Sequence, residues 1–292
     1  MNQLQPQTLN TSDHPYHLVQ DTKQVHLSTK SGAGTILNGE FKSSVAFSIP
    51  NLIHAEDDIE YILFSIPYAV IPNSYYIIND TNNQLVVTEN SITTTYTLAN
   101  GNYNATTFRT AILALLPSPR FGCSLDSVTN KFTFTNTTYS FTFTSASTID
   151  FIIGFSDAVS SSLVSLVNTL TMPRVCNFMP LPRICIRCYQ LSHSVMASAE
   201  TSGSTGDVLI TVPNNAVANG QIVFNNYSQA KSLFKLNKLQ SFVVNLTNDD
   251  GALIDFNGVS SFFVFQFDIF RRHVPKPPSL RDIVNYVGSK NF

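Results

Sequence analysis

Alternation of apolar and polar positions with a period of two dominates this sequence and predicts strands along most of its length. Val45, Phe47 and Ile49 share one face of a strand that ends at Pro50, and residues 59–66 form a strongly apolar run rich in β-branched and aromatic side chains. Residues 75–79 and 84–89 flank Asp80-Thr81-Asn82-Asn83, whose side chains have the Asx chemistry of a tight hairpin. Residues 91–98 read as a further strand. Two Phe-Thr-Phe-Thr segments, 131–136 and 140–145, predict a hairpin with Phe on one face and Thr on the other. Strands at 181–190, 208–212, 221–225, 241–246 and 252–256 follow, the last two around Asn248-Asp249-Asp250-Gly251. The final strand, 261–270, alternates Phe262, Val264 and Gln266 against Phe263, Phe265 and Phe267. Both of its faces are largely apolar, which predicts a covered position.

One segment follows the helical period instead. Asn104 can cap it, and Phe108, Ala111, Ile112 and Leu115 recur at three- and four-residue spacing until Pro117 and Pro119 stop it. A strand-strand-helix-strand-strand unit is therefore expected within 85–159, inserted into a larger antiparallel system formed by 41–84 and 160–270. Residues 1–40 are polar, alternate only at 25–28, and read as an extended arm.

Composition narrows the function classes. Of 292 residues only 12% are charged, about half of the roughly 25% usual for a soluble domain. With 17 basic against 19 acidic residues there is no global excess to neutralise a polyanion, which argues against specific nucleic-acid binding. The 22 Phe and 11 Tyr argue against disorder. No apolar run reaches the roughly 20 residues of a membrane span, and residues 1–10 have no signal-peptide pattern, which suggests synthesis in a cytosol. The six Asn-x-Ser/Thr sequons, at Asn10, Asn79, Asn104, Asn136, Asn226 and Asn245, are expected by chance in so Asn- and Thr-rich a chain.

No segment carries an evident catalytic or metal-binding constellation, and neither an enzyme nor a cofactor is expected. Cys176, Cys185, Cys188 and His193 have a superficial metal spacing. On a strand, however, residues 185 and 188 point to opposite faces, and buried free thiols are the simpler reading. His54-Ala55-Glu56-Asp57-Asp58 reads as a solvated loop. The glycines of 201–206 precede a strand rather than the helix that a phosphate cradle needs. Asp249 and Asp250 fit a hairpin turn and lack a calcium loop's downstream Glu.

The terminal stretch 271–292 concentrates basic charge, with Arg271, Arg272, Lys276, Arg281 and Lys290 against the single acid Asp282. Pro275, Pro277 and Pro278 stiffen it, and Ser279 can cap a short helix with Leu280, Ile283, Val284 and Val287 on one face. A helix that short must dock, on its own domain or on a neighbouring chain. Arg271, Arg272, Leu280, Ile283, Val284 and Val287 are accordingly the candidate inter-subunit docking residues.

The stretch 60–79, Glu-Tyr-Ile-Leu-Phe-Ser-Ile-Pro-Tyr-Ala-Val-Ile-Pro-Asn-Ser-Tyr-Tyr-Ile-Ile-Asn, resembles the paired early strands of penton and minor capsid proteins of virophages and large double-stranded DNA viruses. Gly101-Asn102-Tyr103, Ile152-Ile153-Gly154-Phe155, and the stretch from Asn248 to Gly258 resemble that family in order and spacing. The resemblance implies an all-β fold: a single antiparallel jelly roll with an inserted small α+β domain containing one helix. It further implies a virion protein that assembles as a homopentamer at the five-fold vertices of an icosahedral capsid. Its partners would be further copies of itself and the major and minor capsid proteins, with possible host contact through the insert. The alternatives within reach of the same strands are a minor capsid or cement protein bridging capsomers and a carbohydrate-binding attachment module. The absence of Trp counts against the latter.

Overall fold

The structure, a computed structural model, describes residues 18–30, 32–54, 60–191, 207–228, 231–234 and 238–272. The chain begins with β1 (Leu18–Ser28), β2 (Thr35–Ile36), β3 (Ser44–His54) and β4 (Glu60–Pro72). There follow β5 (Gln84–Glu89), β6 (Ile92–Thr97), helix α1 (Ala105–Leu115), β7 (Phe121–Asp126), β8 (Lys131–Asn136) and β9 (Phe141–Phe143). The one-turn helix α2 (Asp150–Ile153) leads to β10 (Val159–Ser160), β11 (Ser162–Val164) and β12 (Val167–Thr171). The last six strands are β13 (Arg183–Arg187), β14 (Val208–Pro213), β15 (Gln221–Asn225), β16 (Ser232–Phe234), β17 (Lys238–Thr247) and β18 (Phe262–Arg272). Two compact units result: Met1–Pro72 with Arg183–Pro213 and Gln221–Phe292, and Asn73–Pro182 with Asn214–Gly220.

The first unit has two antiparallel sheets, ordered β1-β18-β4-β15 with β16 also on β4, and β14-β13-β17-β3-β2. Without the short β2 and β16, eight strands remain, and their pairing is nested. The first pairs with the last (β1 and β18), the second with the seventh (β3 and β17), the third with the sixth (β4 and β15), and the fourth with the fifth (β13 and β14). The β18–β4 and β17–β13 ladders join these pairs into sheets. A long antiparallel ribbon folded over on itself gives this pattern, which is the jelly roll.

Strand β18 shows why the sequence folds so. Phe263, Phe265 and Phe267 are buried on its inner face, where the Phe265 ring lies 5.2 Å from Phe64 on β4 and stacks at 5.7 Å on Phe242 of the facing sheet. Phe242 in turn meets Phe47 at 5.7 Å. Each such ring contributes about 1.5–3 kcal/mol by burial, so this ladder across the sheets is a principal reason why the two layers stay together.

Two expectations about the chain ends are corrected. Residues 18–28, expected within the arm, pair with β18 along the whole length of β1. The alternation was obscured because Asp21 and Lys23 interrupt it, whereas Val25 and Leu27 do face the core. At the other end Arg271 and Arg272, assigned to the tail, are the last residues of β18, opposite Glu60 on β4 and Leu18 on β1 respectively.

The second unit is wider than the insert expected at 85–159 and is itself a sandwich of two four-stranded sheets, β10-β9-β5-β6 and β11-β12-β8-β7. Its core includes Leu170 and Met172, with Cys176 and Phe178 packed against it, which is why the chain out to residue 182 belongs here. The two Phe-Thr segments form no hairpin: β8 pairs with β7 and β12, whereas β9 pairs with β5 and β10 in the other sheet. Residues 75–79 likewise form no strand. Asn79 and Asn82 make the expected Asx turn, with Thr81 N donating to Asn79 Oδ1 at 3.0 Å, but the turn leads into β5, whose hairpin partner is β6. Helix α1 has the cap foreseen at Asn104, whose Oδ1 accepts from the amides of Thr106 and Thr107 at 3.0 and 2.9 Å. Phe108 and Ile112 are buried, while Leu115 is exposed and Leu116, just past the helix, takes the inward place.

Candidate assembly surfaces and buried polar clusters

Of the six candidate docking residues, Arg271 and Arg272 end β18, and Leu280, Ile283, Val284 and Val287 lie outside the described residues. The sequence 55–59, the glycines at 201–206 and His193 also lie outside them. Among the described residues no group of three or more His, Cys, Asp or Glu could hold a metal ion. Cys185 and Cys188 are buried, Cys185 on β13 and Cys188 just beyond it, each with a separate polar neighbour. Cys185 Sγ lies 3.8 Å from Asp249 Oδ1, and Cys188 Sγ 3.5 Å from Gln190 Oε1. Burial pushes the Cys188 thiol up to about 12. Asp249 lies in the turn after β17, its carboxylate accepting from Arg183 Nε of β13 at 2.6 Å, but the strand expected at 252–256 is reduced to one bridge, Leu253 to Thr247.

Three buried polar clusters escaped sequence reasoning. Asp268 is fully buried on the face of β18 opposite the Phe core. It accepts from Thr22 Oγ1 of β1 at 2.7 Å and from Gln266 Nε2 at 3.1 Å, and pairs with Lys231 Nζ at 2.7 Å. The carboxylate thus ties the first strand, the last strand and the segment before β16 together. A single acid in a Phe-rich strand was the available signal, since an unpaired charge there would be prohibitively costly. Arg187 is buried on β13, donating from Nε to Thr247 Oγ1 and from an Nη to Asp207 Oδ1, both at 2.8 Å. In the second unit Glu89 at the end of β5 takes both Arg120, just before β7, and Asn136 Nδ2 at 2.9 Å, so it joins the two sheets. Arg120 also lies 6.0 Å over the Tyr139 ring, and Glu89 holds its guanidinium above the ordinary range.

Outside these clusters the surface is weakly charged and presents isolated apolar groups. On the first unit Leu37 and Phe41 on one loop, and Leu253 and Val259 on another, are exposed. The two loops are held together by Phe256 N donating to Phe41 O at 3.1 Å, and by Gly258 N donating to Glu40 O at 3.0 Å. On the second unit the β11–β12 hairpin presents Leu163, Val164 and Leu166, and β6 presents Ile92. Such surfaces are suited to contacts between subunits, because covering them strips water from few ions. No helix among the described residues is long and apolar enough to cross a membrane.

A protein family described only as a family of unknown function, DUF5901, matches residues 159–286. No curated protein matches the chain. Among solved structures the chain is similar to a crystal structure of the mavirus penton protein, at 14% identity over 88% of this chain and 100% of that one, with a TM-score of 0.45. It is also similar to a chain of the Sputnik virophage structure determined by electron cryomicroscopy, at 11% identity over 87% of this chain and 98% of that one, with a TM-score of 0.38.

Proposed function

We propose that this chain is a structural virion protein, the penton subunit, five copies of which close each five-fold vertex of an icosahedral capsid. The observation that carries the reading is the nested eight-strand jelly roll interrupted between its third and fourth strands, β4 and β13, by a second β-sandwich. This joins the resemblance that residues 60–79, 101–103, 152–155 and 248–258 bear to penton and minor capsid proteins. A ring requires each protomer to bury one side against a different side of the next. The sparsely charged exterior, with apolar groups such as Phe41 and Val259 on tied loops, suits such contacts.

In this reading the chain does no chemistry, works in the virion, and has as partners its own copies and the surrounding major and minor capsid proteins. The basic tail straps it in place, with Leu280, Ile283, Val284 and Val287 docking on a neighbour and Arg271 and Arg272 extending the last strand toward it. Removing residues 273–292 tests the strap: rings that form as before without them contradict it. Mass measurement of the purified protein tests the reading as a whole. Five protomers of 32.2 kDa give about 161 kDa, and a trimer favours a capsomer-bridging or capsomer-forming protein instead.

A further inference from the structure

Strand β6 is the last in the order β10-β9-β5-β6, so its edge away from β5 has no strand partner among the described residues. Monomeric proteins blunt such edges with charge, proline or a bulge. Several other edges do so: β1 carries Asp21 and Lys23, β7 ends in Asp126, β14 ends in Pro213, and β10 and β11 are only two and three residues long, while β15 shares with β6 the lack of any such device. The six residues of β6, Ile-Thr-Thr-Thr-Tyr-Thr, contain no charge, proline or glycine and are all good strand formers. Five of the six are exposed.

The face of β6 that should be covered is also open. Ile92, Thr94 and Tyr96 stand opposite Glu89, Val87 and Leu85, and the last two point into the core of the second unit. Ile92 nevertheless remains 64% exposed. The facing sheet therefore leaves the start of the strand uncovered.

From this we propose that β6 is a self-complementary docking edge through which two copies of this chain pair, antiparallel, about a two-fold axis at Thr94. The register follows from the hairpin. Asn90 and Ser91 both have positive φ and form a two-residue loop, so Glu89 and Ile92 close it as a hydrogen-bonded pair. Along an antiparallel ladder the backbone groups of Ile92, Thr94 and Tyr96 then face β5, and those of Thr93, Thr95 and Thr97 face the open edge. A two-fold axis at Thr94 sets Thr93 against Thr95 of the second copy, and Thr95 against its Thr93, so that the exposed amides and carbonyls satisfy one another.

The same axis keeps inward faces together. Ile92 meets Tyr96 of the second copy, Tyr96 meets its Ile92, and Thr94 meets its Thr94. Aromatic with β-branched, and Thr with Thr, are among the favourable cross-strand pairs. No charge is buried, and each exposed Ile92 gains a ring. The pairing is isologous and uses residues of the second unit alone.

Cysteine trapping of the full chain tests both the contact and its register. In a non-hydrogen-bonded antiparallel pair the opposed Cα atoms are about 4.5 Å apart, within reach of a disulfide, so Thr94→Cys forms a covalent dimer under mild oxidation. Thr95→Cys does not, because its equivalent in the second copy is a diagonal neighbour about 7–8 Å away. Sedimentation of Thr95→Lys supplies a second measurement, in which the dissociation constant of the pair rises about tenfold or more as two lysines enter the ladder. A Thr94→Cys protein that cross-links no more than the unsubstituted chain, equal cross-linking of Thr95→Cys, or unchanged association of Thr95→Lys overturns the proposal.

Discussion

Phe134 on β8 and Phe143 on β9 belong to different sheets, yet their rings meet edge to face with centroids 4.9 Å apart. Both side chains are fully buried, and Phe121 repeats the contact against Phe141 at 5.2 Å. These rings are the mortar of the second unit. Phe143→Ala should therefore cost about 3–5 kcal/mol in urea unfolding followed by near-ultraviolet circular dichroism, and Phe143→Leu clearly less. Equal, small effects of the two would contradict the interlocked core.

The Asp268 clasp predicts an asymmetry. Lys231→Ala leaves a buried carboxylate without its cation, which typically costs about 3–5 kcal/mol. Asp268→Asn removes the charge while keeping an acceptor for Thr22, and the half-exposed Lys231 can turn to solvent, so about 1–3 kcal/mol is expected. Chemical denaturation of the two variants checks the order; a greater loss for Asp268→Asn would show that the pair is not what stabilises the site.

Gly154 closes α2 with φ of 101° and donates to Asp150 O at 2.8 Å. A Cβ there would land on the carbonyl of Arg174, which itself is fixed because Arg174 N donates to Gly154 O at 2.9 Å. Gly154→Ala should cost at least about 2 kcal/mol. Gly39, at φ 57° with open space around its Cβ position, should lose only the left-handed backbone preference on substitution by Ala, about 1–2 kcal/mol, and less than Gly154. Thermal melts of the pair of variants separate the clash with the Arg174 carbonyl from the left-handed strain that both positions share.

Burial raises all four thiols above their ordinary 9.0, Cys123 and Cys188 to about 12. Above pH 9 the unfolded chain gives up thiol protons that the folded chain keeps, so the unfolded state binds fewer protons and stability falls as pH rises from about 9 toward about 12. Each strongly shifted thiol contributes at most about 1.4 kcal/mol per pH unit. The urea midpoint should be flat with respect to these groups below pH 8.5 and decline above it. A thiol reagent at pH 8 should label the native chain slowly and all four cysteines once it is denatured; rapid native labelling of Cys188 would contradict its burial.

How far the fold was legible follows from what a period of two can carry. It assigns a side chain to a face, so the inward Phe residues of β8, β9 and β18 and the interior place of the last strand were readable. It does not name the neighbouring strand. The segments at 131–136 and 140–145 carry the same Phe-Thr pattern because each lines the same core, but from opposite sheets. Strand β7 alternates Phe121, Cys123 and Leu125 with Gly122, Ser124 and Asp126 but went unread because it is short and only Phe121 and Leu125 are strongly apolar. Asp268 and Arg187 were not readable as sites because their partners are distant in sequence: Thr22 and Asp207 arrive through the β1–β18 and β13–β14 pairings, Thr247 through the β13–β17 ladder, and Lys231 on the segment that leads into β16.

Negative-stain electron microscopy of the purified full chain tests the central claim most directly. Class averages should show five-membered rings, single or joined in pairs, whereas three-membered rings or uniformly monomeric particles would contradict a role in closing five-fold vertices.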